Sequence, residues 1–200
     1  MKCREMVQHS QYWATSIQSG KYRTADMYKD IRGDRGDVCW KKLVHNNHAR
    51  PRACFTLWLV MLGRLPTKDR LAKIGIITDG ICVFCQENET LPHLFFHCEY
   101  TQRIWVHILE WNGYSRSVLD WEREKLWLIG ETKKKGWRRD ILKISLTETI
   151  YYIWITRNAA IFQNQVPINV IQNIKQAVVT RCSGRKALRT HVNKELMRIG

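Results

Sequence analysis

Residues 81–100, ICVFCQENETLPHLFFHCEY, hold two cysteines two residues apart, then two histidines and a third cysteine. This segment constrains the fold more than any other, because ligands to one ion must converge whatever the flanking chain prefers. Cys82 and Cys85 form a C-x2-C pair, a spacing at which a tight turn aims two thiolates at one ion while backbone N–H groups stabilise their charge. His93 and Cys98 extend the series to C-x2-C-x7-H-x4-C. Thiolates with one imidazole suit tetrahedral, redox-inert zinc, and full protein coordination leaves no position for water, so the expected ion is structural. A bare C-x2-C pair would equally fit two small buried side chains; a histidine and a cysteine at ligand spacing favour the metal. The fourth donor stays open between two residues. On a continuous α-helix His93 and His97 stand about 40° apart, and His93 and Cys98 about 140° apart. Cys98 therefore joins only if the helix ends or bends near residues 97–98, whereas His97 needs no bend.

The first twenty residues lack the apolar run of a signal peptide, and no stretch approaches the roughly 18 consecutive apolar residues of a membrane span. The expected location is intracellular, nucleus or cytoplasm, where clustered cysteines read as metal ligands before disulfides. Cys3, Cys39, Cys54 and Cys182 are isolated, and the apolar context of Cys54 predicts a buried thiol.

The chain reads as all-α: a helical domain with an embedded Cys-Cys-His-Cys zinc site, followed by a basic helical tail. Residues 1–20 form a lead-in, 21–112 the zinc-bearing domain and 113–200 the basic C-terminal region. Ala25, Met27, Tyr28 and Ile31 fall roughly on one side of a helix, and Asp37 is placed to cap a short helix in VCWKKLVHN. Pro51 suits a helix start, and residues 53–63, apolar almost all round, predict a central buried helix that Pro66 stops. Thr67 takes the N-cap position of KDRLAKIG, and Gly75 ends it. Ile104, Trp105, Ile108, Leu109 and Trp111 recur at helical spacing before Gly113. SVLDWEREKLWLIG is another short helix, and residues 136–165 are long enough for seven or eight turns before Pro167. Ile171, Ile174 and Val178 mark a last amphipathic helix. Nine Trp spread along the chain point to a core built on large aromatic anchors.

Thirty-three Lys and Arg against 18 Asp and Glu leave a net charge of +15, which favours a polyanionic partner through long-range attraction and counterion release. From Lys133 to Gly200 there are 14 Lys and Arg against 3 acidic residues, with KKKGWRR the densest knot. Nucleic acid, RNA or DNA, is the expected partner, with no membrane and no small-molecule substrate. The candidate phosphate contacts are Arg64, Lys68, Arg70 and Lys73 ahead of the cysteine cluster, and Lys133, Lys134, Lys135, Arg138 and Arg139 in the knot. Phe84 is a candidate for stacking on an unpaired base.

The order of these features is informative. Trp40 precedes Pro51; FTLWLVMLGRLPTKDRL, ICVFC, ETLPHLFFHC and Trp105 follow. Together they resemble the zinc-binding domain of plant non-LTR (LINE-type) reverse transcriptases, over about residues 20–107, with GKYRTADMY similar to that family's lead-in. YYIWITRNAAIF is similar to a helix that often follows the domain. The resemblance implies that Cys82, Cys85, His93 and Cys98 are the zinc ligands, since the family position matching His97 varies. Relatives often carry an acidic residue where Pro92 stands, and proline in the first turn of a helix is tolerated.

No catalytic activity is expected. Metal-dependent nucleotidyl transfer needs paired carboxylates that hold two divalent ions; the family's Y-x-D-D polymerase motif is missing, and the acidic residues are scattered. Ribonuclease H and endonuclease signatures, a Walker loop, G-x-S-x-G and G-x-G-x-x-G are also missing. Two readings follow. One is a non-catalytic zinc-binding module from a LINE-type retrotransposon polyprotein that grips RNA or DNA beside other retroelement proteins. The other is a protein–protein interaction domain, or an inactive retroelement fragment that keeps its structural zinc.

Overall fold

The computed structural model describes residues 38–76 and 79–191, all but Val38 within one compact unit that begins at Cys39. The helix expected around residues 25–31 and the Asp37 cap lie outside the described residues. In order come α1 (Lys41–Val44), α2 (Pro51–Met61), α3 (Lys68–Lys73), a π turn (His93–His97), α4 (Glu99–Trp111), α5 (Trp121–Lys133), α6 (Trp137–Phe162), α7 (Val170–Ser183) and α8 (Lys186–His191). Among the described residues the one β-type contact is an isolated antiparallel bridge between Ile81 and Asn88. The all-α expectation holds. No described helix is long and apolar enough to cross a membrane.

Pro51 opens α2 as expected, but Pro66 does not close it. Gly63 does, with φ +63°: its N–H reaches Val60 O at 2.9 Å and the Arg64 N–H reaches Leu59 O at 2.8 Å. This is the paired closure that a left-handed residue allows. The chain has already turned before Pro66. Nor is α2 the central helix. Ala53, Thr56, Leu57 and Val60 face inward, while Phe55, Trp58 and Leu62 are exposed on the outer face.

The centre belongs to α6, which packs against α2, α4, α5, α7 and α8. Ile141, Leu142, Ile144, Leu146, Ile150 and Ile153 put apolar side chains on several of its sides, so one helix serves several neighbours. From α4, Ile104, Trp105, Ile108, Leu109 and Trp111 are all buried against this core. From α7 the buried stripe is Val170, Ile174, Val178 and Cys182, with Ile171 only half-buried. Burial pushes the Cys182 thiol up to about 12, so it is an inert core residue. Cys54, expected to be buried, is half-buried.

Over residues 141–150, where every residue of α6 is buried, polar groups need partners, and Thr149 Oγ1 is an exception that has none among the described residues. Lys143 of α6 donates Nζ to the carbonyls of His45 and Asn46, at 3.0 and 3.2 Å, and closes the loop after α1. Thr147 accepts from Asn47 Nδ2 at 2.6 Å. Glu148, wholly buried, accepts from Arg50 N at 3.1 Å and Arg50 Nε at 2.9 Å, which pins the start of α2. Arg157, 3% exposed, forks onto Glu89, 0% exposed, through Nε–Oε2 at 3.1 Å and Nη2–Oε1 at 2.6 Å. Away from α6, the buried Glu124 of α5 follows the same rule, accepting from Trp105 Nε1 at 2.8 Å and from Arg116 at 2.7 and 2.9 Å.

Arg157→Met removes one partner of a fully buried pair, a change that costs about 3–5 kcal/mol. Urea unfolding should show the midpoint falling accordingly. Combining it with Glu89→Gln, which removes the charge and keeps an acceptor, should return much of the loss. An equal loss in both variants would show that Arg157 does not answer the Glu89 charge.

Candidate metal centre

The segment around the cysteines is built from the backbone outward. Cys82 N–H reaches Glu87 O at 2.6 Å, and Gln86 N–H returns to Cys82 O at 3.1 Å. Gln86 sits at φ +65°, the left-handed position that lets the chain double back. Glu89 N–H then pairs with Gly80 O at 2.8 Å and seals the base of the knuckle. Thr90 starts the next turn by accepting from His93 N–H at 3.2 Å, with Pro92 in the first turn as expected.

From His93 the helix widens. Cys98 N–H bonds His93 O at 2.8 Å, an i→i+5 closure, and Cys98 leaves the helix at ψ 124°. In this widened turn the backbone closure falls at residue i+5 instead of i+4. Cys98 thus turns inward and His97 is exposed. The bend anticipated at residues 97–98 takes this form, a widened turn that then stops.

The ligand atoms of Cys82, Cys85, His93 and Cys98 all lie within 4.8 Å of one another and could hold a metal ion. Cys82 Sγ is 3.9 Å from Cys98 Sγ, and Cys85 Sγ is 3.1 Å from His93 Nε2. Zinc–sulfur bonds of about 2.3 Å in a tetrahedron imply sulfur–sulfur edges of roughly 3.8 Å, so the donors fit one zinc ion. Glu87 Oε2 lies 3.4 Å from His93 Nδ1 and orients the ring with Nε2 toward the thiols. Cys82 and Cys98 are fully buried and His93 nearly so. Phe84, expected as a base-stacking residue, instead stacks on Tyr100 with ring centroids 4.5 Å apart.

Without an ion the electrostatics favour the thiolate at Cys98 alone among the three cysteines. The Cys82 thiol, donating to Cys98, holds the latter below the usual thiol range, and N–H groups of Thr101 and Tyr100 in the first turn of α4 help. Cys82 itself is pushed well up by that hydrogen bond and by burial, and Cys85 is raised by burial. Backbone N–H groups of Phe84 and Glu87 oppose those rises. A divalent ion would complete the balance, since it favours the deprotonated ligands. It would supply a cross-link between knuckle and helix, with no position left for a substrate.

The basic candidates fall elsewhere and into two groups. Lys68 is turned inward: Nζ donates to Asp79 Oδ1 at 2.7 Å and to Ile81 O at 2.6 Å, fastening α3 to the knuckle. Lys68, expected as a phosphate contact, is thus engaged within the fold. Arg64, Arg70 and Lys73 are exposed, with Arg70 donating to Gly63 O at 2.7 Å and Lys73 3.5 Å from Asp69. In the knot, Lys133, Lys134, Lys135 and Arg138 are exposed, and Arg139 is half-buried against Asp140 at 2.9 Å. Lys134 pairs with Glu131.

Sequence reasoning missed Glu89. Its carboxylate accepts the Lys68 N–H at 2.8 Å, so it caps α3 as well as pairing with Arg157. Thr67, expected to cap α3, makes no cap bond and donates its hydroxyl to Asp69 at 2.6 Å. The only signal for Glu89 in the sequence was an acidic residue between the cysteine pair and His93.

A helical protein with a closed Cys3His site joining a knuckle to a helix belongs among the structural zinc domains. More specifically, residues 22–105 match the family described as zinc-binding in reverse transcriptase, and this chain carries that domain. The match covers the zinc-binding domain and no catalytic domain. No curated protein and no solved structure matches the chain.

Purified protein should carry one zinc, and Cys82→Ser with Cys85→Ser should remove it and lower the melting temperature sharply, because structural zinc supplies on the order of 10 kcal/mol. Cys98→Ser should behave alike and His97→Ala should keep its zinc, both by elemental analysis. The reverse pattern would assign the fourth position to His97.

Proposed function

We propose that this chain is a non-catalytic nucleic-acid-binding module from a LINE-type retrotransposon reverse transcriptase, clamped by zinc on Cys82, Cys85, His93 and Cys98. The distribution of charge carries this reading. Three buried carboxylates, Glu89, Glu124 and Glu148, each pair with one arginine, so they take nothing net from the positive excess, and among the described residues most of the remaining cations are at the surface. The exposed cations Lys133, Lys134, Lys135 and Arg138 occupy the end of α5 and the start of α6, with Arg139 beside them. Arg64, Arg70 and Lys73 form a second group around the end of α2. Such surfaces attract a phosphate backbone without reading bases. The partner is RNA or DNA of the element, handled beside the polymerase part of the polyprotein.

A second reading rests on the outer face of α2, where Phe55, Trp58 and Leu62 are exposed at helical spacing. That row fits a protein partner, such as another retroelement protein.

Fluorescence anisotropy with a single-stranded RNA separates the two. Binding should weaken steeply with salt, and charge reversal of Lys133, Lys134 and Lys135 should lower the slope of log K against log salt by about 0.7 for each phosphate no longer neutralised. Phe55→Ser with Trp58→Ser should leave that slope alone. No RNA affinity at low salt would sink the first reading and leave the α2 face as the functional surface.

A further inference from the structure

An open cleft of about 260 Å³ lies between one face of α7 and Arg50, the residue just before α2. Its polar lining is Arg50, Tyr152, Asn173, Gln176, Thr180 and Arg181, with Ala177 between them. The α7 members are spaced i, i+3, i+7 and i+8, so they form one stripe. Each of the six polar side chains carries a donor group, although the Thr180 hydroxyl already donates to Gln176 O at 2.8 Å, and no carboxylate lines the cleft.

Arg50 is held rigidly there. Glu148 takes its Nε and Nη2, while its guanidinium carbon lies 4.8 and 4.9 Å from the ring centroids of Tyr151 and Tyr152. The Nη1 edge is claimed by no carboxylate among the described residues. Glu148 offsets the Arg50 charge, so the net charge of the cleft comes from Arg181, which has no ion-pair partner among the described residues. The surroundings reinforce it, since the sequence has no acidic residue from 149 to 194 or from 38 to 68.

The geometry points to a seat for one phosphate group, with Arg181 supplying the charge, Arg50 a fixed edge, and the Asn173 and Gln176 amides the remaining donors. Two guanidinium groups with neutral donors and no competing acid match the tetrahedral oxyanion of a phosphate mono- or diester. The volume suits a phosphate and its neighbours better than a drug-sized molecule, for which pockets run from about 300 Å³ upward. The seat deepens the nucleic-acid reading and rests on it only for the source of the phosphate, a strand backbone as opposed to a small free phosphate.

The test uses the full zinc-loaded chain with two probes, a twelve-nucleotide oligo(U) RNA and pyrophosphate. Arg181→Gln removes the charge and Thr180→Glu, at an exposed position, adds a repelling one. Arg123→Gln, an exposed arginine on α5, controls for net charge. Arg181→Gln should reduce the RNA salt slope by about 0.7, the share of one phosphate on a single strand, with Arg123→Gln changing it less. Thr180→Glu should weaken binding at least as much with an unchanged melting temperature. RNA binding that is identical in wild type, Arg181→Gln and Thr180→Glu would overturn the seat and leave the nucleic-acid reading standing. Pyrophosphate binding that depends on Arg181, without RNA binding, would keep the seat, assign it to a free phosphate and overturn the nucleic-acid reading. Binding of neither probe would overturn both.

Discussion

The bidentate pair between Glu89 and Arg157 is the contact on which the rest of the arrangement depends. Glu89 belongs to the knuckle that presents Cys82 and Cys85, and it also caps α3. Arg157 belongs to the central helix α6. With 3% and 0% exposure, neither charge has water to fall back on, so each needs the other. The pair fixes where the knuckle stands against the core, and with it the first two thiols of the metal cluster. The residue that anchors the zinc-binding segment therefore lies far beyond residue 105, where the family match ends.

The same device recurs at Glu148 with Arg50 and at Glu124 with Arg116. In each case a buried carboxylate gathers donors from separate pieces of chain. Over residues 141–150 α6 is surrounded by neighbours and has no water-facing side on which to place its polar residues. Lys143, Thr147, Glu148 and Arg157 become the fastenings for the segments around it. The apolar contacts bring the helices together, and these directional contacts set how each connecting segment meets them.

Much of this was legible in the sequence because it depends on spacing. The four cysteine and histidine positions, the stripe of α4 and the long helix before Pro167 follow from local periodicity. What was illegible depends on distant partners or on backbone detail. Glu89 and Arg157 are 68 positions apart, and nothing local distinguishes either from a surface charge. Lys68 reads as a surface cation until its partners Asp79 and Ile81 are placed beside it. Residues 53–63 read as central because hydrophobicity records what a side chain avoids and not which face meets a neighbour. The stop at Gly63 in place of Pro66 reflects the earlier of two available signals. Between His97 and Cys98 helical spacing alone could not choose: the resemblance pointed to Cys98, and the closure at i+5 gives the physical reason.

That turn also ties two kinds of order together. His93, Leu94, Phe95 and Phe96 are four consecutive buried residues, which α-helical steps of about 100° would spread around most of the helix. The widened turn lets three apolar side chains enter the core in succession and still brings sulfur at residue 98 over nitrogen at residue 93. A slip of one residue in the core would swing the sulfur away from the cluster. The donor set therefore works as a checksum on packing: a chain that seats Leu94, Phe95 and Phe96 in the wrong register has no complete set of donors to offer the ion.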